Sequence, residues 1–176
     1  MKKSRRTALG GVITALCCAL MYMSHLIPVG SYAFPAIAGG LIVMIVIEIN
    51  RAWAAGVYVA AALLSAFALP DAALAFALFF GYYPILKELY ERLGNRTLSR
   101  ILKGVTFNAA LALLYVVSRF LFGLNLEYHT ILGDWIWAVI ILAANGMFVL
   151  YDIALTRMIA LYLIRVRPKI KRMLEG

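Results

Sequence analysis

The stretch "GLNLEYHTILGDWIW", residues 123–137, gathers Asn125, Glu127, Tyr128, His129, Asp134, Trp135 and Trp137, and Arg119 precedes it by about one helical turn. These residue types suit noncovalent recognition. Aromatic rings supply stacking area, and a guanidinium orients an anionic or polar group of a small solute. The competing reading is an interfacial belt, with Trp at the headgroup level and Arg snorkelling outward. A second segment, "HLIPVGSYAFP" at residues 25–35, holds Tyr32 and Phe34 and reads as a lid over such a pocket. Asn145, inside a later apolar run, suits either a hydrogen-bonded link between helices or a further solute contact.

Bond-breaking chemistry has no such support. The sequence contains no HExxH, no GxSxG, no DxxxD cluster and no phosphate-cradling glycine loop. Glu48, Asn108, Arg119, Asn145 and Asp152 are the polar residues within or beside apolar runs, and they form no chain of carboxylates for a proton- or ion-driven pump. With His25 and His129 as its two histidines, the chain gives no metal-ligand spacing. The expectation is a protein that is not an enzyme and carries no metal or cofactor of its own.

The elements that position these residues are apolar helices. Of 176 residues, 65% are hydrophobic, and no soluble domain of this size could cover so much apolar surface. Apolar runs fall at about 8–27, 35–49, 53–69, 72–86, 104–122 and 134–156, followed by a basic tail at 157–176. The expected fold is a single all-α integral membrane bundle of six transmembrane helices. The first run is too long for a cleaved signal peptide and is read as a retained span. Pro35 suits the first turn of the second helix, and Asp71 after Pro70 suits an N-cap for the fourth. The second and fourth runs are short against a hydrocarbon core of about 30 Å. The sixth is long, and either bends at Gly146 or continues along the membrane surface.

Charge then orients the bundle. Lys2–Arg6, Arg51, Lys87, Arg92, Arg96, Arg100, Lys103, Arg157 and the tail all fall on the side of the termini, whereas Arg119 falls opposite. The positive-inside rule places both termini in the cytoplasm of a prokaryotic plasma membrane. Topology and anionic lipid account for the net charge of +9 without nucleic acid. Glu48 beside Arg51, and Asp152 near Arg157, read as interfacial pairs at inner ends. The inner loop "KELYERLGNRTLSRILK" is amphipathic, with Leu86, Leu89, Tyr90 and Leu93 at helical spacing and Glu88 four residues before Arg92. It either lies on the anionic inner leaflet or serves a partner. Its Asn-Arg-Thr sequon at Asn95 is discounted because the loop is cytoplasmic.

Within the first helix, "GGVITALCCAL" sets Gly11, Ala15 and Ala19 four residues apart on one face, where another backbone can approach closely. This seam either packs internally or docks a partner. The adjacent Cys17 and Cys18 point about 100° apart on a helix and read as packing, not as a disulfide.

A chain of this size with six helices, inner termini and Ala15-x-x-x-Ala19 on its first helix resembles the substrate-binding S components of energy-coupling factor transporters. The stretch "FFGYYPILK", residues 79–87, is similar to membrane proteins grouped with them. The resemblance implies capture of a vitamin-like solute near the outer face, below the loop joining the first two helices. It implies docking through Gly11, Ala15 and Ala19 to a transmembrane T component linked to two ATPases, so that ATP acts only through partner subunits. Arg119, Asn125, Glu127, Tyr128, His129, Trp135, Asn145 and Tyr32 are the expected solute contacts. The rival expectation is a structural or assembly protein that recruits a cytoplasmic factor through its basic inner surface.

Overall fold

The computed structural model describes residues 3–27, 32–68, 70–122 and 135–168. Among these the elements are α1 (Lys3–Leu26), α2 (Ala33–Glu48), α3 (Arg51–Ala68), α4 (Pro70–Ala75), a π-turn (Phe76–Phe80), α5 (Tyr83–Glu91), α6 (Arg96–Phe122) and α7 (Trp135–Leu161) with a second π-turn (Tyr162–Val166). No strand occurs among the described residues. Four stretches are long and apolar enough to cross a membrane: Lys3–Ser24, Ala72–Glu91, Arg96–Val117 and Trp137–Arg165. Ala33–Glu48 and Arg51–Ala66 are shorter apolar helices. At 1.5 Å per residue, the 16 residues of α2 reach about 24 Å.

Several boundaries differ from the sequence expectations for physical reasons. Pro35 does fall in the first turn of α2. Asp71, however, lies inside α4, because Pro70 itself opens the helix, where a missing N–H costs nothing. The fourth run does not stop at 86 but passes through the π-turn and α5 to Glu91. The fifth does not wait for 104: Asn95 accepts hydrogen bonds from the Thr97 and Leu98 amides at 3.0 and 3.3 Å, so α6 starts at Arg96. Gly146 leaves α7 unbroken, and the irregularity falls instead at Tyr162–Val166.

The chain divides into two compact units, Met1–Glu127 and Tyr128–Gly176. In the first, α2 is the central helix. It is apolar all round, and α1, α3, α5 and the first π-turn all pack on it. The core is made of one stripe from each neighbour at helical spacing: Ile13, Cys17 and Met21 of α1, Ala38, Ile42 and Ile45 of α2, Ala54, Val57 and Ala61 of α3, closed by Phe76. Both cysteines are free thiols. Cys17 donates to the Ala38 carbonyl at 3.6 Å, and Cys18 accepts from the Ser65 hydroxyl at 3.9 Å. Helices α1 and α3 run parallel, since Gly10 meets Trp53 and Val57 while Cys18 meets Ser65. In the second unit α7 carries Asn145, whose amide donates to the Ile141 carbonyl of its own helix at 2.9 Å.

Charged side chains collect at one end of the first unit. Glu88 on α5 holds Arg51 of α3 at 3.1 Å and Arg92 at 2.6 Å, the latter being the expected i,i+4 pair. One turn on, Glu91 holds Lys87 at 3.0 Å and Lys103 of α6 at 2.9 Å through the same oxygen. The Tyr90 and Thr106 hydroxyls share a hydrogen bond at 2.7 Å, and the Phe79 and Phe107 rings meet edge-on at 4.5 Å. These contacts fix α6 against α5 and the π-turn.

The π-turn has a specific cause in its neighbours. The Gly81 amide, which in an α-helix would go to Ala77, donates to Phe76 at 2.7 Å. The Ala77 carbonyl instead accepts from the Tyr58 hydroxyl of α3 at 2.8 Å. Tyr58 comes that close because position 81 is glycine: a Cβ there would stand 2.5 Å from the Tyr58 ring. Tyr58→Phe leaves a half-buried carbonyl without its partner and is expected to destabilise the chain by about 1 kcal/mol. Gly81→Ala is expected to destabilise at least as much by forcing the two helices apart. Thermal unfolding of the purified variants in mild detergent checks both, and unchanged midpoints would remove the Tyr58 bond from the forces holding this turn.

Candidate functional site: a small-residue face on α1 and α3

Helix α1 turns two of its stripes in opposite directions. Ile13, Cys17 and Met21 are buried, whereas Gly11, Ala15 and Ala19, each two residues away and so about 200° around the helix, are exposed. A stripe of small side chains thus faces outward, beside larger exposed ones such as Val12 and Leu16. Beside them α3 presents the same spacing in Ala52, Gly56 and Ala60. Between the two stripes lies an open groove of about 430 Å³, with Gly10, Gly11 and Thr14 on one wall and Trp53, Gly56 and Ala60 on the other.

The glycines of this groove are not there to let α1 and α3 touch. A Cβ on Gly11 or on Gly56 would meet no atom within 4 Å. Gly10, one residue inward, is the position of close approach, where a Cβ would lie 3.4 Å from Val57. The two threonines at the groove are turned inward chemically: Thr14 donates to the Gly10 carbonyl at 2.9 Å and Thr7 to the Lys3 carbonyl at 3.3 Å. Each therefore offers its methyl group. The surface is smooth, uncharged and apolar, with no group fit for acid–base or nucleophilic work. Its shape suits the close approach of another helix backbone, the geometry through which small-xxx-small faces associate in lipid.

The expected solute contacts belong to several elements. Arg119 is exposed near the end of α6, Tyr32 is exposed immediately before α2, and Trp135 is exposed at the start of α7. Asn125, Glu127, Tyr128, His129 and Asp134 lie outside the described residues. Asn108, like Asn145, donates to a carbonyl four residues back in its own helix, Gly104, at 2.9 Å. Among the described residues no group of three His, Cys, Asp or Glu side chains could hold a metal ion. The contribution of α3 to the face was missed in the sequence. Its signal was available: Ala52, Gly56 and Ala60 repeat the four-residue spacing of Gly11, Ala15 and Ala19.

Because both glycines open onto free space, Gly11→Leu and Gly56→Leu are expected to leave the stability of the purified chain within about 0.5 kcal/mol or to raise it slightly. An internal packing face would instead lose about 1–3 kcal/mol by overpacking. Thermal unfolding in detergent distinguishes the two. Comparison with family models, with curated proteins and with solved structures finds no match to this chain.

Proposed function

We propose that this chain is the solute-capturing membrane subunit of an ATP-driven importer, joined through α1 and α3 to a transmembrane partner that is coupled to two ATPases. In this reading α2 and α3 cross the membrane along with the four longer stretches, giving six passes with both termini in the cytoplasm. Two features support that topology. Arg51, Lys87 and Lys103 meet Glu88 and Glu91 at one end of the first unit, and the N-terminal end of α1 with its basic residues lies on the same side as that of the parallel α3. A basic end of this kind belongs in the cytoplasm.

The observation that carries the proposal is the outward face of Gly11, Ala15 and Ala19, flanked by Gly56 and Ala60. Lipid tails gain nothing from meeting small residues over large ones, whereas a partner helix gains close van der Waals contact. The resemblance to S components supplies the role of that partner: it converts ATP hydrolysis elsewhere into reorientation of this subunit. The chain's own task is then to hold a solute, with Arg119 as the orienting cation.

The test is purification from the native host in mild detergent at natural expression, with mass spectrometry of accompanying proteins and small molecules. A T-like membrane subunit and an ATPase pair are expected, together with a retained solute. Ala15→Leu is expected to release the partners and keep the solute, and Arg119→Ala to do the reverse. Recovery of the native chain alone, or with a cytoplasmic factor and no solute, would overturn the importer reading in favour of a structural or assembly role.

A further inference from the structure

We infer that the tip of the α5–α6 hairpin is a docking surface for anionic phospholipid, seated in the headgroup layer. The inference rests on the membrane assignment alone and is independent of the importer reading. Its first support is apolar. Leu89, Leu93, Leu98 and Ile101 bracket the turn and are between 43% and 56% exposed. Among the described residues these large aliphatic side chains are left about half uncovered.

The second support is charge. Lys87, Arg92, Arg96, Arg100 and Lys103, with Arg51 beside them, make six cations against three carboxylates, Glu48, Glu88 and Glu91. The two on α5 are already engaged: Glu88 by Arg51 and Arg92, Glu91 by Lys87 and Lys103. Arg96 and Arg100 make no ion pair with the described residues and are exposed. They stand four apart on α6, a like-charge spacing that disfavours the helix unless an outside anion lies against both. The surface potential of an anionic leaflet supplies that anion to any arginine at its level.

The third support is length and rigidity. The 27 residues of α6 reach about 40 Å against a hydrocarbon core of about 30 Å, so its first turns extend past the acyl chains into the headgroups. The tip that arrives there is built. Gly94 adopts φ 70°, and the Asn95 side chain accepts from the Thr97 and Leu98 amides. Asn95 is thus a helix cap within this surface. Apolar side chains entering the acyl boundary beneath arginines that meet phosphates is the arrangement of an interfacial amphipathic segment.

The test uses the full chain with Cys17→Ala and Cys18→Ala, and a nitrobenzoxadiazole probe on Thr97→Cys. The labelled protein is placed in nanodiscs of phosphatidylcholine alone and in nanodiscs with a third of that lipid replaced by phosphatidylglycerol. Acrylamide, being uncharged, reports water exposure without bias from surface potential. The expected result is blue-shifted emission and several-fold weaker quenching in the anionic discs. Arg96→Gln with Arg100→Gln is expected to erase the difference between the two lipids, and Leu93→Ser with Leu98→Ser to raise quenching in the anionic discs. Equal, water-like quenching in both discs overturns the inference. So does a probe that becomes protected only when cytoplasmic extract is added, which would assign the tip to a protein partner.

Discussion

Two carboxylates on one short helix set the arrangement of the first unit. Glu88 and Glu91 lie three residues apart on α5, so they share a face. Glu88 reaches Arg51 on α3, and Glu91 reaches Lys103 on α6 while also holding the buried Lys87 of its own helix. Ionised lysines with side chains 1% and 10% exposed would be costly without that shared oxygen. The two pairs therefore fix which ends of α3, α5 and α6 lie together. Helices α1 and α2 are joined to this end through their packing on α3 and α5.

Apolar packing completes what the ion pairs begin. Burial of α2 leaves no polar face to the element that touches most of the others, and small residues let it do so: Ala38, Gly39 and Gly40 are all buried. The first π-turn belongs to the same logic. Backbone groups away from water must be paired, and there the Tyr58 hydroxyl supplies the donor that the Gly81 amide withholds from Ala77. A membrane helix can be irregular where a neighbouring side chain meets the freed carbonyl. At this turn that neighbour is held by glycine on one side and by the Phe76 ring, 6.0 Å away between centroids, on the other.

Hydropathy made the helical class and the approximate positions of the apolar elements legible, because lipid-compatible segments must be helical and long. Local contests decided the boundaries, and hydropathy does not read those. Asn95 captured the start of α6 from what looked like a loop. Pro70 displaced Asp71 as the beginning of α4, and α7 runs unbroken through Gly146. The Glu88–Arg92 pair was readable from spacing, whereas Arg51–Glu88 and Lys103–Glu91 join residues far apart in sequence. The small-residue seam was legible on α1, but sequence periodicity alone does not say whether such a stripe faces in or out. Its α3 counterpart carried the same spacing and went unread. For residues 123–137, a set of residue types suited to recognition was all that the sequence offered.

The direction of the seam has an energetic meaning in lipid that it would lack in water. A soluble helix turns its large apolar residues inward because water drives them there, and small residues outside need no explanation. In a bilayer the outer face is already apolar, so Leu or Ile would be as well solvated there as in the core. Helix propensity also favours Leu over Gly at an exposed position by nearly 1 kcal/mol. Gly11 and Gly56 therefore weaken the isolated chain slightly, and neither relieves a contact within it. The smallness of both positions therefore leaves their groove open and unfilled by the described residues.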